Sequence, residues 1–114
     1  MKHTLRTAFN AELAAAAAAT EHPVRLHHLS RAHILSQRYT WPHVRVHVLM
    51  LCAGVEGRDA RQVLGQLTRV VAAALFSRIW VPIGNTGLAD VSAVRPMPVP
   101  EDLRALLDAG GCVG

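Results

Sequence analysis

Histidines are concentrated in one stretch of the chain, and three of them have the spacing of a metal site. Five of the seven histidines lie within residues 26–51. His43 and His47 are four positions apart, so a helix would place both imidazoles on one face, one turn from each other. A single helix chelates a metal ion with this spacing. His33 lies on the preceding segment and shares a helical face with Gln37.

The residues between these two segments predict how the histidines would meet. Residues 39–42 (Tyr-Thr-Trp-Pro) indicate a tight turn between two helices. In an antiparallel pair with such a turn, positions whose numbers sum to about 80 lie opposite each other. His33 would then face His47, and Gln37 would face His43. The predicted metal site therefore comprises three ligands and two adjuncts on the same faces: His33, His43 and His47, with Gln37 and Met50.

Imidazole nitrogens determine which ions such a site would take. Three nitrogen ligands and an open position suit a transition metal ion, zinc and copper above all, and a nearby thioether favours copper. We expect one such ion and no other cofactor. The glutamate of an HExxH protease motif is replaced by Val44, which excludes hydrolysis by that mechanism. A base would have to come from elsewhere, such as Glu12 or Asp90, so we assign no catalytic residue and leave open whether the protein is an enzyme.

The histidines also have two alternative interpretations. Buried imidazoles need hydrogen-bond partners, and polar neighbours could satisfy them in a structural core layer. The side chains of that layer would be His33, His47, Gln37, Ser30 and Tyr39. The protein would then be a non-enzymatic interaction module that docks on a partner through its surface. A haem pocket or another cofactor pocket is the second alternative.

The elements that must position these residues are predicted to be helices. Apolar periodicity and capping residues indicate four main helices, over about residues 4–20, 23–39, 40–53 and 59–80. The fourth would begin at Asp59 with a capping box completed by Gln62. Its core stripe would consist of apolar side chains at helical spacing: Val63, Leu67, Val70, Val71 and Ala74, widened by Leu64 and Leu75.

The C-terminal third is predicted to be mostly extended rather than helical. The glycine turn IGNTG and the segment VRPMPVP predict an extended strap over residues 81–100. A short helix over residues 101–109 would follow it and end at Gly110-Gly111. We therefore predict an all-α fold, with about four helices in two antiparallel hairpins, this strap and a short last helix. At this length, residues 1–114 should form one domain.

Composition and charge argue against several classes of partner. The net charge is +4, but the arginines are scattered and no aromatic residues interleave with them, which argues against a nucleic-acid surface. The apolar end of the helix at residues 60–80 falls short of the ~20 apolar residues of a membrane span, so we predict no transmembrane segment. We expect this apolar end to contact a protein partner or a second copy of the chain.

Two further features bear on location. Glu12 interrupts the N-terminal alanine run, which is also less apolar than the core of an export signal. Cys52 and Cys112 do not make a disulfide framework. We therefore expect a cytoplasmic protein.

Four segments resemble one small bacterial family, known as domain of unknown function 3703. They are LRTAFNAEL (5–13), HLSRAHILSQ (28–37), HVRVHVLML (43–51) and VPIGNTGLADVSAVRPMP (81–98). The resemblance covers nearly the whole chain, and the part from GNTG to RPMP is the most distinctive. It implies a compact helical protein of bacterial origin and implies no particular activity.

Overall fold

Helices account for most of the chain in the computed structural model, which describes residues 1–77 and 79–109. The five helices are α1 (His3–Ala18), α2 (His22–Ser36), α3 (Thr40–Glu56), α4 (Ala60–Phe76) and α5 (Glu101–Ala109). The described residues contain no β-strand. The predicted all-α fold class is confirmed.

Consecutive helices pack against each other as a bundle. Connections of three residues join α1 to α2, α2 to α3 and α3 to α4, and each of these pairs is in contact. The short α5 packs on α1 and α2. It begins and ends within the predicted range, and the predicted stop at Gly110-Gly111 lies outside the described residues.

The third helix is longer than predicted because it continues through a glycine. α3 passes Gly54 and ends at Glu56, with Gly57 as its C-cap. A Cβ atom on Gly54 would lie 3.0 Å from the Cβ of Gln62 and 3.2 Å from the backbone nitrogen of Val63. This glycine therefore serves the close approach of α3 to α4 and does not end the helix.

The apolar core lies among α1, α2, α3 and α5. No α4 residue belongs to its buried cluster, and the only aromatic side chain in the cluster is that of Phe9. The members are Leu5, Phe9, Ala16, Leu29, Ala32, Ile34, Leu35, Val46, Met50, Ala53 and Leu103. The core therefore covers one side of the α2–α3 pair, and α4 covers another.

The predicted core stripe of α4 is wrong. Leu67 is 52% exposed and Val71 is 58% exposed, whereas the buried side chains of this helix are those of Gln62, Gln66 and Ala73. α4 turns its polar face inward because the buried imidazoles of α2 and α3 need hydrogen-bond partners there. Its apolar side chains form an outward surface, which we call the outer face of α4: Leu64, Leu67, Val71 and Leu75.

The capping of α4 follows the prediction in part. The carboxylate of Asp59 accepts a hydrogen bond from the backbone N–H of Gln62, at 3.2 Å. The Gln62 side chain does not return the bond, because its Oε1 accepts hydrogen bonds from Gln66 and from the backbone of Ala89. The N-cap is therefore present without the reciprocal half of the box.

The strap over residues 81–100 has no helix, as predicted, and side-chain bonds attach it to the bundle. Gln37 donates to the carbonyl of Pro82 and accepts from the N–H of Gly84, both at 3.0 Å. Gly84 has a φ of 78°, and a Cβ there would lie 2.0 Å from the carbonyl oxygen of Met97. Only glycine fits this turn, which brings the strap against α2.

Within the described residues, no helix combines the length and the apolarity that crossing a membrane requires.

The division between core and outer face predicts different effects for two leucine truncations. Leu35→Ala removes a side chain that is 1% exposed and should lower the free energy of unfolding by about 2–5 kcal/mol. Leu67→Ala on the outer face of α4 should change it by less than about 0.5 kcal/mol. Urea unfolding followed by circular dichroism measures both values. A loss at Leu67 as large as that at Leu35 would contradict the exposed placement of this face.

Candidate metal centre

Three histidine side chains converge on one point between α2 and α3. The Nε2 atoms of His33 and His43 are 2.9 Å apart, and the Nε2 of His47 lies 3.1 Å from each of them. All three residues are between 3 and 6% exposed. We call this group the histidine triangle. Among the histidine, cysteine and acidic residues that the structure describes, these three histidines have the geometry to hold a metal ion.

The contacts between α2 and α3 differ in one respect from those predicted from helical spacing. His33 contacts His47 as predicted, but it contacts His43 as well. His43 does not pair with Gln37, whose amide is bonded to the strap. The two imidazoles of α3 therefore both reach the single imidazole of α2.

The outer nitrogen of His33 is held by the strap. Its Nδ1 lies 2.8 Å from the backbone carbonyl oxygen of Asn85. A carbonyl only accepts, so this Nδ1 carries the proton. Gly87 packs directly on the same ring: its φ is 77°, and a Cβ there would lie 2.5 Å from the Cδ2 of His33.

The outer nitrogen of His47 is held by α4. Its Nδ1 lies 2.6 Å from the Oε1 of Gln66. The Nε2 of Gln66 donates to the carbonyl of Gly87, at 2.8 Å, and to the Oε1 of Gln62, at 3.1 Å. These two bonds assign the orientation of the Gln66 amide, so its oxygen accepts and the Nδ1 of His47 donates.

The outer nitrogen of His43 is held just beyond the end of α4. Its Nδ1 lies 2.6 Å from the Oγ of Ser77. That hydroxyl donates its only proton to the carbonyl of Ala73 and therefore accepts from the imidazole. All three histidines are thus assigned the same tautomer.

This common tautomer leaves three lone pairs facing one another. A neutral imidazole with its proton on Nδ1 has an unprotonated Nε2, which can only accept or coordinate. Neutral rings therefore cannot form hydrogen bonds across the short distances between their Nε2 atoms, because none of these atoms carries a proton. A cation at this point would satisfy all three nitrogens at once.

Burial keeps these rings neutral. Desolvation, with the nearby His47, lowers the pKa of His43 to about 3. Desolvation, with the charge of Arg69, lowers the pKa of His47 to about 4. Burial also lowers the pKa of His33, helped by the two neighbouring histidines. At neutral pH the triangle is therefore deprotonated at Nε2, the form that binds metals.

A cavity of about 330 Å³ opens onto the triangle. Its walls are the three histidines, Gln37, Arg69, Asn85 and mainly apolar side chains. The apolar part includes Ala72, Phe76, Trp80, Val81, Pro82 and Val94. Small molecules can therefore reach the point on which the Nε2 atoms converge.

The remaining residues singled out from the sequence have other surroundings. Met50 is fully buried in the apolar core, and Gln37 lines the cavity while its amide is bonded to the strap. Glu12 accepts hydrogen bonds from His28 and Arg31. Burial raises its pKa, but these hydrogen bonds and the charges of both partners outweigh burial and lower the pKa.

Three residues that support the triangle were missed from the sequence: Gln66, Ser77 and Asn85. The glutamines at positions 62 and 66 interrupt an apolar helix at a spacing of one turn, which is a signal for a buried polar face. Ser77 and the backbone carbonyl of Asn85 carry no comparable signal, because any residue supplies a carbonyl and serines at helix ends are common.

Comparison with known proteins gives a family and no function. The model of the family described as "Protein of unknown function (DUF3703)" matches residues 3–107. No curated protein and no solved structure matches the chain.

The lowered pKa values predict that the metal-free protein loses stability in mild acid. Unfolded histidine has a pKa of about 6.5, well above the values for His43 and His47, so the unfolded chain binds more protons and stability falls as pH decreases. For each histidine that the fold keeps neutral, the free energy of unfolding should fall by about 2 kcal/mol when the pH is lowered from 7 to 5. Urea unfolding with a chelator present measures this slope.

The double variant His43→Gln, His47→Gln is the control for this slope. It should show a shallower dependence on pH than the parent, since two buried imidazoles are gone. An unchanged slope would mean that the buried histidines are not responsible for the dependence.

Proposed function

We propose that this chain, which belongs to the DUF3703 family, binds one transition metal ion through the Nε2 atoms of His33, His43 and His47. The observation that carries the proposal is the hydrogen bonding of the three Nδ1 atoms. Each has an acceptor of its own, so each Nε2 presents a lone pair to the same point. A metal-ligating histidine typically donates its other N–H to a carbonyl or a similar acceptor, which fixes the tautomer and the ring orientation.

The distances are close to what a metal ion needs. In tetrahedral coordination with Zn–N bonds of about 2.0–2.1 Å, neighbouring nitrogens are about 3.4 Å apart. The Nε2 atoms here are 2.9 to 3.1 Å apart, so small outward shifts of the rings would accommodate the ion. No change in backbone fold is required.

The donor set favours zinc, with copper second. Three neutral imidazoles without a thiolate or a carboxylate suit both ions. A thioether would favour copper, but Met50 belongs to the apolar core, and Gln37 is engaged with the strap. We therefore include neither of these residues in the proposed ligand set.

The cavity supports an exchangeable fourth position on the ion. Structural zinc sites are closed by four protein ligands, whereas catalytic sites have three and keep one position for water or substrate. The triangle supplies three ligands and borders a cavity of about 330 Å³. The proposed site is therefore of the type that binds or transforms a small molecule.

A purely hydrogen-bonded histidine layer would need a different charge state. To share protons among the Nε2 atoms, at least one ring would have to be an imidazolium, because every Nδ1 already carries a proton. Burial opposes this charge, as the lowered pKa of all three histidines indicates.

The protein partner expected at residues 60–80 stays a prediction.

Metal content tests the proposal directly. Protein purified without a histidine tag should contain about one equivalent of zinc or copper by elemental analysis, or take it up after exposure to the ion. The double variant His43→Gln, His47→Gln should contain none. His27→Ala changes an exposed histidine outside the triangle and should keep the parent's stoichiometry.

A parent that stays folded and takes up no ion would refute the proposal. It would then favour the hydrogen-bonded layer. Equal metal content in the parent and the double variant would place any bound ion elsewhere on the chain.

Removal of the Ser77 hydroxyl tests the role of the outer acceptors. Ser77→Ala leaves His43 without its acceptor and should weaken metal binding by about 10- to 100-fold, as seen for partners of metal ligands. Competition against a chromophoric chelator measures the affinity. Ser30→Ala is the matched control, since its buried hydroxyl bonds to the backbone of His27 and contacts none of the three ligands. An equal loss in both variants would mean a general effect on folding.

A further inference from the structure

Among the described residues that line the cavity beside the triangle, one side chain is positively charged. Arg69 of α4 lines it together with the three histidines. Its charge is close enough to help lower the pKa of His33 and His47. Most of the remaining described lining is apolar, and the other polar residues are Gln37, Ser77 and Asn85.

One nitrogen of the Arg69 guanidinium forms no hydrogen bond among the described residues. Its Nη1 donates to the carbonyl of Gly65 at 3.0 Å, and its Nη2 donates to the carbonyl of Val91 at 2.8 Å. These two bonds hold the guanidinium between α4 and the strap. Its Nε–H is buried and has no hydrogen-bond partner among the described residues.

The charge of Arg69 is also unpaired. It forms no ion pair with any described residue, and Asp90 influences it only at a distance. Arg69 is half-buried, and a partly desolvated charge without a counter-ion is unfavourable. An anion in the cavity would pair with this charge.

We propose that the cavity binds a small carboxylate with an apolar body, its carboxylate held jointly by the metal ion and Arg69. This inference rests on the metal site proposed above. The carboxylate would occupy the fourth coordination position and pair with the guanidinium of Arg69. The apolar body would lie against side chains such as Phe76, Trp80 and Pro82.

The lining selects a carboxylate over an inorganic oxyanion. Phosphate and sulfate have four oxygens and need several donors. Among the described lining residues, the cavity borders one guanidinium, whose two Nη atoms already donate to carbonyls, and the proposed metal position. Apolar walls favour a ligand that is mostly hydrocarbon. The volume is near the lower end of the range for small-molecule sites, about 300–1,000 Å³, so the ligand is small.

Cobalt substitution gives a test in which the two proposals fail separately. Protein loaded with Co²⁺ has a visible absorption spectrum that changes when the fourth ligand is exchanged. Butanoate should change this spectrum at concentrations at least tenfold lower than acetate, because its longer chain reaches the apolar wall. Butanamide, which has the same length and no charge, should leave the spectrum unchanged.

Substitution of the arginine completes the test. Arg69→Gln removes the charge and should weaken butanoate binding at least tenfold while Co²⁺ stays bound. Arg61→Gln removes an exposed arginine from the same helix and should behave like the parent. Arg69→Lys keeps the charge without the planar guanidinium, so it should bind butanoate more weakly than the parent and more tightly than Arg69→Gln.

Each contrary result has one meaning. A parent that shows no Co²⁺ spectrum refutes the metal site, and the carboxylate proposal falls with it. A Co²⁺-loaded parent that responds equally to butanoate and butanamide refutes the carboxylate proposal alone, and this comparison needs no variant. Equal butanoate affinity in the parent and in folded Arg69→Gln has the same consequence.

Discussion

The orientation of three buried imidazoles is the constraint on which the second half of the structure depends. An imidazole that aims its Nε2 at a shared point must satisfy its Nδ1 in the opposite direction. Three acceptors are therefore needed at three places around the α2–α3 pair. Gln66 and Ser77 supply two of them from α4 and the residue that follows it, and the backbone of Asn85 supplies the third. α4 and the strap lie where these bonds require them.

This requirement divides the protein into an apolar side and a polar side. The apolar core fills the space among α1, α2, α3 and α5, where leucine and alanine side chains predominate. The interface with α4 is polar, with Gln62 and Gln66 almost completely buried. Because α4 must turn its amides inward, its outer face remains exposed, with the side chains of Leu64, Leu67, Val71 and Leu75. An apolar stripe that ordinarily builds a core is here on the surface.

The strap connects the family resemblance to the candidate site. The segment from GNTG to RPMP (84–98) lies within the residues that the family model matches, and it includes the turn that supports His33. The Asn85 side chain holds this turn together: its Nδ2 donates to the carbonyls of Ser92 and Arg95, and its Oδ1 accepts from Gly87. Gly87 then packs on the imidazole at a distance that no larger residue permits. A segment within the residues matched by the family model thus also positions a proposed ligand.

The sequence by itself determined the elements and the approach of their histidines. Apolar periodicity, the turn at residues 39–42 and the proline-rich strap were sufficient for the helices, the first hairpins and the pairing of His33 with His47, because these features depend on neighbours in the chain. The rotation of α4 and the path of the strap were decided by tertiary structure. The acceptors Gln66, Ser77 and Asn85 lie 19 to 52 residues from the histidines they bind. Hydrophobicity alone predicted that the opposite face of α4 would be buried. That preference is reversed because the buried imidazoles need hydrogen-bond acceptors from α4.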